Sequence, residues 1–119
     1  MFKDLLRDVV EGTSGSIGGL IMGFDGITLE QYLRLGKALD VETLGMEWSV
    51  VLTQISKAAE QLDAGETEEV QIRAEKLTTV IRVLNKEYFL ALALAPNANT
   101  GKGRYLLRTA APRLLEELS

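Results

Sequence analysis

Cysteine and histidine are both absent from this chain of 119 residues. Without cysteine the protein can form no disulfide, thiolate metal site or cysteine nucleophile. Without histidine it lacks the commonest general base and the commonest metal ligand. Serine and threonine therefore have no histidine to activate them, and no lysine is singled out as a nucleophile. These absences make an enzyme the weakest class of function, and we expect no catalytic residue, cofactor or metal site.

Long apolar runs and basic runs are absent as well. No run approaches the roughly 20 apolar residues that a membrane span needs. The first residues, MFKDLLRD, alternate charged and apolar side chains, unlike a signal peptide, so we expect a cytoplasmic protein. The net charge is -4 at pH 7, without the basic cluster typical of nucleic-acid binding. Another protein is therefore the expected partner.

The composition that remains is that of a globular domain, with 46% hydrophobic and 25% charged residues. A chain of this length buries most of its surface around a single core. No repeat, linker or low-complexity segment interrupts the sequence. We predict one domain spanning residues 1–119.

Helical periodicity predicts three helices. The first covers residues 2–10 with Gly12 as its C-cap, and the second begins after Asp40 and ends at Gly65. The third begins after Asn97 or Asn99 and contains Pro112, which should bend it. The predicted buried stripe of the second helix is Val41, Leu44, Trp48, Val51, Leu52, Ile55, Ala59 and Leu62. The apolar positions of the third are Tyr105, Leu106, Ala110, Leu114 and Leu118.

Short apolar or alternating segments predict five strands, at residues 16–24, 27–32, 69–75, 77–84 and 88–94. Asp25-Gly26 is the signal of a two-residue hairpin between the first pair, because glycine accepts positive φ and aspartate tolerates it. The stretch from Thr28 to Leu39 can also be interpreted as a capped helix. We keep a strand to Tyr32, followed by a connection.

The predicted order is helix-β-β-helix-β-β-β-helix. Hairpin-connected strands on either side of one long helix form an antiparallel sheet, and apolar residues on both parities of the strands indicate that both sheet faces are covered. The fold class is therefore α+β, a five-stranded antiparallel sheet with helices on both faces.

The segment GTSGSIGGLIMGFDG, from Gly12 to Gly26, is rich in glycine and could suggest a phosphate-binding loop. A P-loop requires a Lys-Ser/Thr pair after its second glycine, but no lysine lies between Lys3 and Lys37. The dinucleotide fingerprint opens a helix, whereas these glycines precede or lie within a predicted strand. Glycine within a strand usually marks a bulge or a close approach by another segment, which is the favoured interpretation.

Two surfaces are candidates for binding another protein. The outer side of the second helix carries Met46, Val50, Thr53 and Lys57, with two apolar residues where none is needed. The segment Glu69, Gln71, Arg73, Glu75 alternates with apolar residues and resembles an edge strand, which can pair with a strand of another chain. The alternatives are a tolerant helix surface and a lone edge protected by its charges.

The pattern as a whole resembles the Roadblock/dynein light chain family. The similar segments are GSIGGLIMGFDGI in the first hairpin, VQIRA and RVLNKEYFLALAL in the last three strands, and NANTGKGRY opening the final helix. The more specific signals are the Asp25-Gly26 turn and the N-x-G-x-x-R run formed by Asn99, Gly101 and Arg104. The resemblance covers nearly the whole chain.

This resemblance implies a roadblock fold, similar to profilin and longin domains, in a homodimer or a heterodimer with a related domain. In such dimers the third strands join two sheets, and the long helices lie side by side. The dimer edge would be the segment from Glu69 to Glu75, and the platform for a Ras-like small GTPase would surround Met46, Val50 and Lys57. The leucines between Tyr32 and Leu39 depart from the usual polar connection.

Among short bacterial and archaeal members, the resemblance points to the gliding-motility regulator that accelerates GTP hydrolysis by its partner. None of the seven arginines falls on the proposed platform, so stimulation would occur by ordering the GTPase's own catalytic groups. The alternatives are a scaffold of the same fold without effect on hydrolysis, and a small-ligand sensor or enzyme that uses the glycine-rich hairpin.

Overall fold

One five-stranded antiparallel sheet with helices on both faces organises the chain in a computed structural model that describes residues 1–119. The order of elements is the predicted one, and the α+β fold class is confirmed. The elements are α1 (Phe2–Gly12), β1 (Ser16–Gly23), β2 (Thr28–Leu33), α2 (Val41–Gln61), β3 (Glu69–Arg73), β4 (Thr78–Val83), β5 (Tyr88–Leu94) and α3 (Thr100–Leu118).

The strands are arranged in the order β2-β1-β5-β4-β3. The central strands β1 and β5 pair through registers such as Leu20 with Ala91, and they are buried along almost their whole length. This burial on both faces explains their continuous apolar runs. The strand order also makes β2 and β3 the two edges of the sheet.

Each face of the sheet has its own apolar core. Helices α1 and α3 cover one face, where Leu6 and Leu107 meet Ile21 and Leu92. Helix α2 lies on the other face and packs over β1 and β2. There Leu20, Met22, Leu52, Ile81 and Phe89 form the buried cluster. Alternating residues of the same strands supply both cores.

The glycines of β1 allow the helices to approach the sheet closely. A Cβ built on Gly19 would lie 3.0 Å from Leu6 Cδ1 and 3.2 Å from the carbonyl oxygen of Ala91. On α2, a Cβ on Gly45 would lie 2.7 Å from Leu20 Cδ2. Backbone and core side chains fill the space next to these glycines, which is the close packing expected for the segment.

The hairpin between β1 and β2 differs from the prediction. Its connection is Phe24–Ile27 rather than the two residues Asp25 and Gly26, and the prediction of a two-residue turn was wrong. The amide of Gly26 (φ 86°) donates to the carbonyl of Gly23, and the amide of Ile27 donates to Asp25 Oδ1 at 3.0 Å. Aspartate stabilises the turn with its side chain, so only glycine needs positive φ.

Two helix ends also differ. Gly12 is the last residue of α1, and Thr13 is its C-cap in an extended conformation. Helix α2 ends at Gln61, before the predicted Gly65, because Asp63 adopts a left-handed conformation (φ 57°). The amides of Asp63 and Ala64 donate to the carbonyls of Glu60 and Ala59, which is the hydrogen bonding of a Schellman motif. Aspartate performs the role that the prediction gave to glycine.

The segment after the hairpin forms strand β2 and not the helix that the sequence also allowed. The strand extends one residue beyond the predicted end at Tyr32. The connection that follows leaves Leu35 96% exposed. Strand β3 ends at Arg73, so the predicted extension to Glu75 was wrong. The amide of Ala74 donates to the carbonyl of Leu77 at 2.9 Å, and this turn removes Glu75 from the strand.

Candidate interaction surfaces

Helix α2 contacts the sheet through a narrower stripe than the sequence predicted. Its buried residues are Val41, Gly45, Ser49 and Leu52. Of the predicted stripe, Val51 is 38% exposed and Leu62 is 79% exposed, so their assignment to the core was wrong. The small residues Gly45 and Ser49 allow the helix to pack closely on β1 and β2. The neighbouring apolar stripe then lies on the flank of the helix.

That flank of α2 carries Trp48, Val51 and Ile55 at helical spacing, and Trp48 reaches toward β4, beside which Val70 and Ile72 of β3 lie on the same sheet face. We call these five residues the edge shelf. The indole Nε1 of Trp48 donates to Thr79 Oγ1 at 3.2 Å, and Thr79 pairs with Ile72 across the strands. Four of the five residues are half-buried and Val51 is exposed. The edge shelf therefore includes an edge strand whose outer side pairs with no other strand of the chain.

The predicted polar residues of β3 lie on the opposite side of that strand. Alternation places Glu69, Gln71 and Arg73 on the α3 side of the sheet, because Val70 and Ile72 face α2. Arg104 of α3 donates to Glu69 Oε2 from Nε at 2.9 Å, and its Nη2 lies 2.7 Å from the same oxygen. The sequence interpretation missed Val70 and Ile72, although the same alternation indicated them.

The N-x-G-x-x-R run connects α3 to this edge. Asn99 is the N-cap of α3, and its side-chain oxygen accepts a hydrogen bond from the amide of Lys102 at 3.0 Å. Gly101 lies in the first turn, and Arg104 reaches the edge strand through Glu69. The run begins the helix and attaches it to β3.

The four predicted platform residues share the other flank of α2, which we call the outer strip: Met46, Val50, Thr53 and Lys57. Met46 is 51% and Val50 is 62% exposed, and Lys57 is also exposed. Thr53 is half-buried and donates its hydroxyl to the carbonyl of Ser49 at 2.9 Å. Met46 also lines an open depression of about 570 Å³ between α2 and β2, next to the hairpin residue Ile27. The outer strip is accessible and partly apolar.

Arg34, directly after β2, was not predicted to have a role. Its Nη2 donates to the carbonyls of Val10 at 2.8 Å and Thr13 at 3.1 Å, at the end of α1. Its Nη1 lies 3.4 Å from a carboxylate oxygen of Glu11. The second oxygen of Glu11 accepts a hydrogen bond from the Tyr32 hydroxyl at 2.7 Å, and this bond raises the pKa of Tyr32.

The beginning of α2 is fixed by Asp40. Its carboxylate accepts hydrogen bonds from the backbone amide of Thr43 at 3.0 Å and from the Thr43 hydroxyl at 2.7 Å. These bonds favour the ionised carboxylate and lower the pKa of Asp40. The N-cap predicted from the sequence is therefore present, and it orients the helix that carries both surfaces.

Neither a metal site nor a membrane span is visible among these elements. No group of three or more acidic side chains is placed to hold a metal ion. None of the three helices combines the length and apolarity that crossing a membrane requires.

Comparison with solved structures identifies the family. MglC from Myxococcus xanthus shares 39% sequence identity over 96% of each chain, with a TM-score of 0.70. A Roadblock/LC7 domain from Streptomyces avermitilis shares 14% identity over 98% of this chain and 96% of that chain, with a TM-score of 0.85. The chain belongs to the Roadblock/LC7 family.

MglB structures have the same fold as this roadblock chain. A structure of MglB in a tetrameric arrangement shares 18% identity over 95% of this chain and 84% of that chain, with a TM-score of 0.85. This similarity extends to the fold alone. No family sequence model and no curated protein sequence matches the chain, so the structural comparison carries the assignment.

Proposed function

We propose that this roadblock protein is a dimeric, cytoplasmic, non-catalytic regulator of a Ras-like small GTPase. The observation that carries the proposal is the edge shelf, a set of apolar residues beside strand β3, whose outer edge pairs with no strand of the chain. Family membership and the similarity to MglC and MglB support it. The partner in the dimer is a second copy or a related roadblock domain.

Pairing of two β3 edges would join two sheets and bring a second α2 toward the edge shelf. Unpaired edge strands offer hydrogen-bonding groups to another strand. Burial of apolar area at roughly 25 cal/mol per Å² would favour covering Val51, Val70 and Ile72. The charges of β3 do not obstruct this side, because Glu69 faces α3 and is held there by Arg104.

The outer strip would contact the GTPase. It lies on the flank of α2 away from the edge shelf, so pairing at β3 leaves it accessible. Helix α2 contains no arginine, and its only basic residue is Lys57. Stimulation of hydrolysis would therefore act by ordering the catalytic groups of the GTPase itself, without a charge inserted from α2.

The test measures binding and single-turnover GTP hydrolysis for a Ras-like GTPase encoded beside this protein. Val50→Asp places a charge in the centre of the outer strip and should weaken binding at least about tenfold, or roughly 1.4 kcal/mol. Leu35→Asp is the matched control, because Leu35 is an exposed leucine outside the strip. It should leave binding unchanged.

The outcomes separate this proposal from a scaffold. Binding together with faster hydrolysis supports the regulator. Binding at the outer strip without a rate change supports a scaffold or adaptor of the same fold. Absence of binding, or equal loss in both variants, overturns the GTPase platform. For a ligand sensor at the glycine-rich hairpin, the space beside Gly18 is already filled, because a Cβ there would lie 2.8 Å from the carbonyl oxygen of Tyr32.

A further inference from the structure

The solvent face of α3 presents an aromatic ring between two cations. Tyr105 is 51% exposed, so its predicted place in the apolar stripe of the helix was wrong. Lys102 Nζ lies 6.0 Å and Arg108 Cζ lies 5.7 Å from the centre of its ring. Arg113 is exposed about two turns beyond Tyr105, and we call Lys102, Tyr105, Arg108 and Arg113 the basic strip.

The cations of the basic strip have no acidic partners. Arg7, Arg34, Arg82 and Arg104 each lie within 4.0 Å of a carboxylate oxygen. No such pair exists for the strip members Lys102, Arg108 and Arg113. No acidic residue occurs in α3 before Glu116, although the chain has a net charge of -4. The three cations therefore form no ion pair within the chain.

We propose that the basic strip binds an acidic segment of a protein partner. Charge complementarity selects this occupant, because the free cations would meet carboxylates while the Tyr105 ring contacts an apolar side chain. From Lys102 to Arg113 the helix rises about 16 Å at roughly 1.5 Å per residue. About five residues of an extended acidic peptide span that length.

Other anionic partners fit the strip less well. Clusters that recognise acidic lipids carry roughly four to eight basic residues, whereas this strip has Lys102, Arg108 and Arg113. Nucleic-acid binding requires a longer series of phosphate contacts. A short acidic peptide needs only a few cations and an apolar contact, which the basic strip provides.

The basic strip is independent of the proposed GTPase contact and dimer edge. Helix α3 lies on the sheet face opposite α2, so both faces can be occupied together. Reversing charges in the basic strip should therefore leave self-association and GTPase binding unchanged. Failure of one proposal does not imply failure of the other.

The experiment measures fluorescence anisotropy of a labelled peptide, Glu-Asp-Phe-Glu-Glu-Leu-Asp-Glu, titrated with the 119-residue chain. The double variant Lys102→Glu/Arg108→Glu should weaken binding at least about tenfold at low salt, and added salt should weaken binding to the wild type. Lys37→Glu/Lys86→Glu has the same net charge and alters exposed lysines elsewhere. It should bind nearly as well as the wild type.

A second pair of variants tests the ring. Tyr105→Ala should weaken peptide binding about threefold by removing the apolar contact, whereas Tyr105→Phe keeps the ring and should retain binding. Equal weakening by the two double variants would show a nonspecific charge effect and overturn the proposal. Strip-dependent binding to phosphatidylserine vesicles, or a strip-dependent change in oligomeric mass, without peptide binding would also overturn it. Circular dichroism verifies that each variant is folded.

Discussion

At the scale of single residues, Arg34 joins segments that are distant in the sequence. It follows the edge strand β2 and donates to carbonyls at the end of α1. A helix end leaves carbonyl groups without partners, and a guanidinium can satisfy several of them at once. The side chain is 28% exposed, so solvent competes only partly for these bonds.

Replacing Arg34 with methionine should lower the free energy of unfolding by about 1–3 kcal/mol, because charged hydrogen bonds to the end of α1 are lost. Arg34→Lys should have an intermediate effect, since lysine keeps the charge without the planar fork. Glu11→Gln is the control, because it removes the carboxylate charge at the partly exposed Glu11 and keeps the bonds of Arg34 to the α1 carbonyls. Urea denaturation provides the measurement, and an unchanged midpoint for Arg34→Met would contradict this role.

The sequence could not reveal this function of Arg34. Hydrophobic periodicity predicts which elements form, but a charged residue in a connection has no periodic signal. The partners of Arg34 are backbone carbonyls, and carbonyls exist at every position of the chain. The N-caps Asp40 and Asn99 were predictable because their bonds are local and specific to the residue type.

At the scale of elements, the packing of α1 on β1 depends on Gly19. A Cβ there would lie 3.1 Å from Val10 Cγ2 as well as close to Leu6 and to the carbonyl of Ala91. Because the backbone carbonyl cannot rotate away as a side chain can, an added methyl group must displace the strand or the helix.

We expect Gly19→Ala to lower the free energy of unfolding by about 1–3 kcal/mol through overpacking. Gly101→Ala is the matched substitution in the first turn of α3, where the nearest atom to an added Cβ is Asn99 Oδ1 at 3.8 Å. It should be neutral or stabilise the protein by up to about 1 kcal/mol. Thermal unfolding followed by circular dichroism compares them, and similar midpoints would refute close packing at Gly19.

Helix α2 shows where prediction of elements from the sequence fails. Its existence and N-cap were predictable, because apolar residues recur over many turns. The buried side of the helix lies closer to Gly45 and Ser49 than the sequence predicted. Small residues allow close contact with the sheet, but they do not contribute to hydrophobic periodicity. Val51 and Leu62 fit the hydrophobic periodicity of a buried stripe, yet both are exposed in the single chain. Periodicity cannot distinguish an apolar stripe covered within the chain from one available to a partner.

At the scale of the whole molecule, the edge shelf predicts the state of association. The wild type should sediment at about twice its chain mass of 13.1 kDa. Ile72→Asp should shift it to the single-chain mass, because pairing would bury an unpartnered carboxylate. Leu35→Asp adds the same charge away from the edge and should preserve the dimer. A folded Ile72→Asp protein that remains dimeric would place the interface elsewhere.

The Glu69–Arg104 pair described above also affects how the edge strand opens. Within one chain, strand β3 has only β4 beside it, and this ion pair attaches the Glu69 end to α3. The Arg73 end has no such attachment and leads into a turn. Local opening is easiest where the fewest contacts must break. Fraying of β3 should therefore start at Arg73 and stop near Glu69. Exchange of this strand between copies would then begin at the Arg73 end and proceed toward Glu69.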